Sequence, residues 1–92
     1  MDAMAQLAQK IIKEQENVIG PIALEQAKKV PGLTINWDKH EVSLSGNEKD
    51  ILDQLVNSYK HLFGQASVEV CRDAIKGLLK SIPVDKIPSQ LQ

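Results

Sequence analysis

An eleven-residue stretch of this chain occurs twice. Val18-Ile19-Gly20-Pro21-Ile22-Ala23-Leu24-Glu25-Gln26-Ala27-Lys28 is echoed by Leu62-Phe63-Gly64-Gln65-Ala66-Ser67-Val68-Glu69-Val70-Cys71-Arg72, at an offset of 44 residues. The offset holds upstream, where Leu7, Ala8, Ile11 and Ile12 align with Ile51, Leu52, Leu55 and Val56. Glycine falls on glycine, Glu25 on Glu69, Lys28 on Arg72 and small Ala27 on small Cys71. Two copies are too few for a helical solenoid, which needs at least about three repeats to bury a continuous core. They suit a pseudo-symmetric pair that packs face to face and buries both apolar stripes once.

Each copy reads as helix, glycine, helix. Met4, Leu7, Ala8, Ile11, Ile12, Val18 and Ile19 recur at three- and four-residue spacings and form one apolar stripe. Asp2 is placed to cap this helix or to complement its dipole. Gly20 can close a helix in the left-handed conformation, and Pro21 suits the first position of the next one. A second helix is expected from Pro21 to about Val30, with Ile22, Ala23, Ala27 and Val30 inward and Pro31-Gly32 ending it. In the second copy, Ile51, Leu52, Leu55, Val56, Tyr59, Leu62 and Phe63 make the stripe of a helix ending at Gly64. A last helix is expected from Gln65 to about Lys80, weakened locally by Gly77.

Between the copies the period changes to two. Leu33, Ile35 and Trp37 alternate with Thr34 and Asn36, and Val42 and Leu44 alternate with Ser43 and Ser45. With Asp38-Lys39-His40-Glu41 as the turn, this predicts a β-hairpin at 33–44. Two strands alone are barely stable in water, so the Leu33, Ile35, Trp37 face must lie on the helices or on a partner. Ser45 with Glu48 has the form of a capping box, and Asn47 with Asp50 is a rival cap. Residues 1–82 are expected to form one helical domain and 83–92 an extended tail; Ile82, Val84, Ile87 and Leu91 are too apolar for a purely solvated linker, so part of it is expected to pack back.

A chain of 92 residues affords one modest core. Aromatic residues are only 3%, so that core must be aliphatic, which suits helices better than a sandwich or barrel. The balance of 11 basic against 12 acidic residues argues against a sequence-independent nucleic-acid binder, which needs a basic excess to displace counterions. A single cysteine excludes an internal disulfide and a cysteine-based zinc site. Cys71 falls mid-helix on the apolar face, where a small core residue is its expected role rather than a nucleophile. His40 and His61 have no ligand spacing between them, and Glu41, Glu48, Asp50 and Asp53 belong on a solvated turn and helix start. No catalytic residue, cofactor or metal is expected. The N-terminal residues lack the form of a secretory signal, and no window approaches the ~20 apolar residues of a membrane span. The expected setting is the cytoplasm.

The Ile19-Gly20-Pro21-Ile22-Ala23 stretch, with its preceding amphipathic helix, resembles small helical domains of bacterial signalling proteins. The resemblance covers residues 5 to 30 and, more loosely, 51 to 76, where Gln65 replaces the proline; the hairpin departs from it. It implies a non-catalytic interaction or regulatory domain and transfers no catalytic residue. The expectation is therefore a mainly α fold: two helix-Gly-helix units in a pseudo-two-fold arrangement with an intervening hairpin. Its function is expected to be protein-protein interaction, with another protein or a second copy of the chain. The residues expected at the contact are Ile35, Trp37 and Val42 on the hairpin, and Tyr59 and Phe63 near the second break. The alternative is a nucleic-acid-associated regulator using helix 65–76 with Lys60, Arg72 and Lys76.

Overall fold

The computed structural model describes residues 3–92, so the role expected of Asp2 lies outside the described residues. Among these there are four α-helices: α1 (Ala3–Ile19), α2 (Ile22–Lys28), α3 (Glu48–Phe63) and α4 (Gln65–Ile75). Strands β1 (Leu33–Asn36) and β2 (Glu41–Leu44) pair antiparallel, with Leu33 opposite Leu44 and Ile35 opposite Val42. The chain is thus mainly α, with two Gly-broken helix pairs and a hairpin between them.

The two breaks are built alike, bond for bond. Gly20 and Gly64 have φ of 78° and 80°, a region in which a Cβ is strained. The Gly20 N–H donates to the Glu16 carbonyl at 2.9 Å, and the Gly64 N–H to the Lys60 carbonyl at 2.8 Å. Beyond each glycine, the N–H groups of Ala23 and Ser67 return to the carbonyls of Gly20 and Gly64, both at 3.1 Å. Each break satisfies orphan backbone groups at a helix end and turns the chain into the next helix.

The helices then pair crosswise. Helix α1 packs on α4 and α3 on α2, while each long helix also meets the short one that follows it. Two side-chain hydrogen bonds join the copies. Gln15 Nε2 donates to the Ser67 carbonyl at 2.9 Å, and the Tyr59 hydroxyl donates to the Ala23 carbonyl at 2.8 Å. Position 59 is the repeat of 15, and 67 is the repeat of 23, so this is one bond made twice between exchanged copies. Around it lies an aliphatic core that includes Leu7, Ile11, Ile12, Leu52, Leu55, Val56 and Ile75, all with no exposed surface.

Covers close the two sides. Strand β2 lies along α1 and β1 against α2, while the 3₁₀ turn Ser89–Leu91 rests on α3 and α4. Residues 83–92 are not the extended tail expected. They form 3₁₀ turns at Val84–Lys86 and Ser89–Leu91 and bury Ile87, Pro88 and Leu91. Gln90 ties them down, donating to Asp53 Oδ1 and Asn57 Oδ1 at 2.9 Å each, while its carbonyl accepts from Arg72 Nη2 at 3.0 Å.

Other boundaries also differ. Helix α2 stops at Lys28, and α4 stops at Ile75, just before Gly77, rather than continuing to Lys80. Trp37 leaves β1 and opens a 3₁₀ turn, Trp37–Lys39, that closes on His40 in the left-handed region at φ 53°. Of the two rival caps, Asn47 holds α3, its Oδ1 accepting from the Asp50 N–H at 3.0 Å.

Two stability predictions follow from this geometry. At Gly64 a Cβ would meet nothing within 4 Å, whereas at Gly32 (φ 84°) it would sit 2.7 Å from the fixed Ser45 carbonyl oxygen and 2.8 Å from Ile51 Cδ1. Gly64→Ala should cost about 1 kcal/mol by backbone strain alone, and Gly32→Ala a further 1–3 kcal/mol for the clash; urea denaturation of the two variants tests the ranking. The crossed bonds differ too, since Gln15 is fully buried and its Oε1 has no partner. Tyr59→Phe should destabilise by about 1 kcal/mol, and Gln15→Met by less, because it loses the bonds to Ser67 and Cys71 but also removes a buried unsatisfied oxygen.

Candidate functional site

Four of the five residues expected at a contact are used inside the fold. Val42 and Tyr59 are buried in the core, so neither offers a contact surface, and that expectation is corrected. Tyr59 belongs inside because its hydroxyl is spent on the Ala23 carbonyl. Ile35 and Trp37 are half-buried and pack against the core. The Trp37 indole N–H points at Glu16 Oε1, 3.4 Å away. The ring meets His40 edge-on at a centroid distance of 5.0 Å. Gln9 Nε2 donates to the His40 carbonyl at 2.8 Å, so the hairpin turn is fastened to α1. Phe63 alone of the five is well exposed.

Phe63 has company that the sequence did not single out. Val18 is 62% exposed, Leu62 46%, Phe63 40% and Ile22 37%. All four flank the glycine breaks. Gln15, about one turn before Gly20, bonds Ser67 just after Gly64, and Tyr59, about one turn before Gly64, bonds Ala23 just after Gly20. Both breaks therefore sit at the same end of the molecule. The end carries apolar side chains from the termini of α1 and α3 and from the start of α2.

The helical period placed Val18 and Leu62 on buried stripes, and their phase is indeed that of Ile11 and Leu55, two turns earlier. What runs out is the partner. Helix α4 starts at Gln65 and α2 at Ile22, so their first turns stand level with Gln15 and Tyr59. Val18 and Leu62, about a turn further along α1 and α3, stay exposed, and Leu62 borders a surface depression with Gln26, Lys29 and Pro31. The repeat itself was the available signal, since Val18 and Leu62 occupy the same place before their glycines.

Chemistry elsewhere is sparse. Cys71 is buried, and its Sγ accepts a long hydrogen bond from Gln15 Nε2 at 3.2 Å. Burial pushes its thiol up to about 11 and holds the Tyr59 phenol well above its ordinary value, the reverse of what nucleophile activation needs. Among the described residues no group of three His, Cys, Asp or Glu side chains could hold a metal ion, and no helix is long and apolar enough to cross a membrane. On the helix of the nucleic-acid alternative, Arg72 pairs with Glu69 at 3.2 Å and Lys76 with Asp73 at 3.1 Å, leaving less charge for phosphates.

The fold defines a mainly α protein with an apolar end at two helix breaks. Comparison with protein families, with curated proteins and with solved structures finds no match for this chain.

Cys71 sets an alkaline limit on stability. Its folded pKa lies above the ordinary value of 9.0, so the unfolded chain loses its proton first. That contribution is complete below pH 9 and declines as pH rises toward 11, by on the order of 2–3 kcal/mol. Cys71→Ala should flatten this part of the decline, as read from urea midpoints between pH 8 and 11.

Proposed function

We propose that this chain is a non-enzymatic protein-protein interaction or regulatory module, and that its contact surface is the apolar end at the two helix breaks. One observation carries the reading. The fold has spent the hairpin face and most of both helical stripes on its own core, yet leaves Val18, Ile22, Leu62 and Phe63 exposed at one end. Scattered surface hydrophobes such as Val84 need no explanation; these four are read as a docking surface because all of them flank the two breaks. Phe63 is the large aromatic anchor such a surface needs. The likeness of Ile19–Ala23 to helical domains of bacterial signalling proteins makes signalling the setting in which to look.

The test uses the intact chain. A photoreactive group at position 62 should crosslink to protein in an extract of the cells that make it, and the same group at exposed Lys49 should not. Val18→Lys with Leu62→Lys should abolish the crosslink from position 63 while changing stability by less than about 0.5 kcal/mol, since both side chains already lie outside the core. Equal labelling from positions 62 and 49 would end this reading.

A further inference from the structure

We infer that residues 83–92 form a releasable strap, which opens as one unit from α3 and α4 while the crossed helices stay folded, with Gln90 as its polar latch. The inference stands apart from the reading of the apolar end and holds whether or not that end binds a protein.

The bonding of the segment is the first ground. Its backbone N–H groups find their acceptors inside it: Lys86 donates to the Pro83 carbonyl, Ile87 to Val84, Leu91 to Pro88 and Gln92 to Ser89. The Gln92 side chain also stays within the segment, donating to the Val84 and Ile87 carbonyls at 3.2 and 2.9 Å. Among the described residues, every hydrogen bond from the segment to the helices runs through Gln90, to Asp53, Asn57 and Arg72. Release therefore breaks polar contacts at one residue and leaves the segment's own turns intact. The hairpin is held differently, by the Leu33 N–H on the Val30 carbonyl, by Gln9 on the His40 carbonyl and by Trp37 on Glu16.

The latch is the second ground, because it is imperfect. Arg72 Nε and Gln90 Oε1 are buried, and neither has a hydrogen-bond partner. They belong to the two residues that meet there, at 3.0 Å between Arg72 Nη2 and the Gln90 carbonyl. A buried polar atom without a partner has given up water for nothing. Opening returns both atoms to water and so favours release. What opposes release is apolar: Ile87, Pro88 and Leu91 are buried, and the turn Ser89–Leu91 is seated on α3 and α4. The conformational entropy regained by residues 83–92 offsets part of that hold. A segment with few buried side chains and no backbone bonds to the helices belongs to the low-stability end of a structure.

Release changes the surface of the chain. Helix α3 seats Gln90 at Asp53 and Asn57 and ends in exposed Leu62 and Phe63. An open strap bares apolar surface on a helix whose end is already exposed, and a closed strap withholds it.

Native-state hydrogen exchange of the intact chain tests this. The amides of Lys86, Ile87 and Leu91 should share one opening free energy, with protection at least about a hundred-fold below that at the centres of α1 and α4. Tyr59→Phe weakens a crossed contact and leaves the strap alone. It should speed exchange at the helix centres about five-fold and the three strap amides not at all. Gln90→Ala should speed the strap amides about ten-fold. Circular dichroism of both variants checks that each is folded. Equal protection of strap and helix centres, or equal acceleration of both by Tyr59→Phe, overturns the proposal, because the segment then opens only with the whole molecule. Unrelated opening free energies at Ile87 and Leu91 overturn it too, since the turns then fray one by one. So does a Gln90→Ala chain whose strap amides exchange as in the wild type.

Discussion

The crosswise docking of the two copies is the constraint from which the rest of the structure follows. Helix α1 packs chiefly on α4, and α3 packs on both α4 and α2, so neither long stripe is covered within its own copy alone. The register is set by Gln15 on Ser67 and Tyr59 on Ala23. Those contacts are possible only because the chain turns at Gly20 and Gly64, so that each short helix starts where the opposite long helix is finishing. Near the same turns Val18, Leu62 and Phe63 remain exposed, while Ile19 packs against the core.

The copies differ most where they are covered. The segment after α2 became a hairpin that lies on α1 and α2, and the segment after α4 became 3₁₀ turns that rest on α3 and α4. Both cover the outer side of their own copy, by different means. The hairpin fills its place with Leu33 and Val42 and fastens its turn through Gln9 and Glu16. The C-terminal segment uses Ile87, Pro88 and Leu91, and Gln90 as a polar latch to Asp53, Asn57 and Arg72. Divergence within the crossed bond itself is smaller. A tyrosine in one copy and a glutamine in the other each deliver a donor to a helix carbonyl, though the glutamine brings an oxygen that nothing satisfies.

Much of the fold was legible because it depends on local rules. The offset between Gly20 and Gly64, the stripe of Leu7, Ile11 and Ile12, and the alternation of Leu33 and Ile35 depend on period and backbone freedom, which a sequence displays directly. Misreadings arose where a neighbour decides. The apolar phase of Val18 matches that of Ile11, and only the length of α4 distinguishes them. Tyr59 stands on the apolar stripe of α3 and was also expected at the contact, but a carbonyl on α2 accepts from its hydroxyl and holds it inside. Gln15 passed unnoticed for the converse reason: a polar residue in the buried phase is legible only once its partner is known. Partial docking of the tail was legible in its apolar residues; its 3₁₀ form was not, because the prolines Pro83 and Pro88 suit the start of a 3₁₀ turn as well as the extended form expected.

The separation of the crossed contacts bears on how the chain reaches this structure. Gln15 and Ser67 are 52 residues apart, and Tyr59 and Ala23 are 36 apart. For a small helical protein these are long loops to close, and the closure entropy is spent before either stripe is covered. Neither copy can finish a core alone, so a half-formed intermediate with one copy in place has little to hold it. Acquisition of structure should be all-or-none and slower than helix content alone suggests. The amide protons at the centres of α1 and α4 should exchange through one shared opening, because the two helices pack extensively on each other.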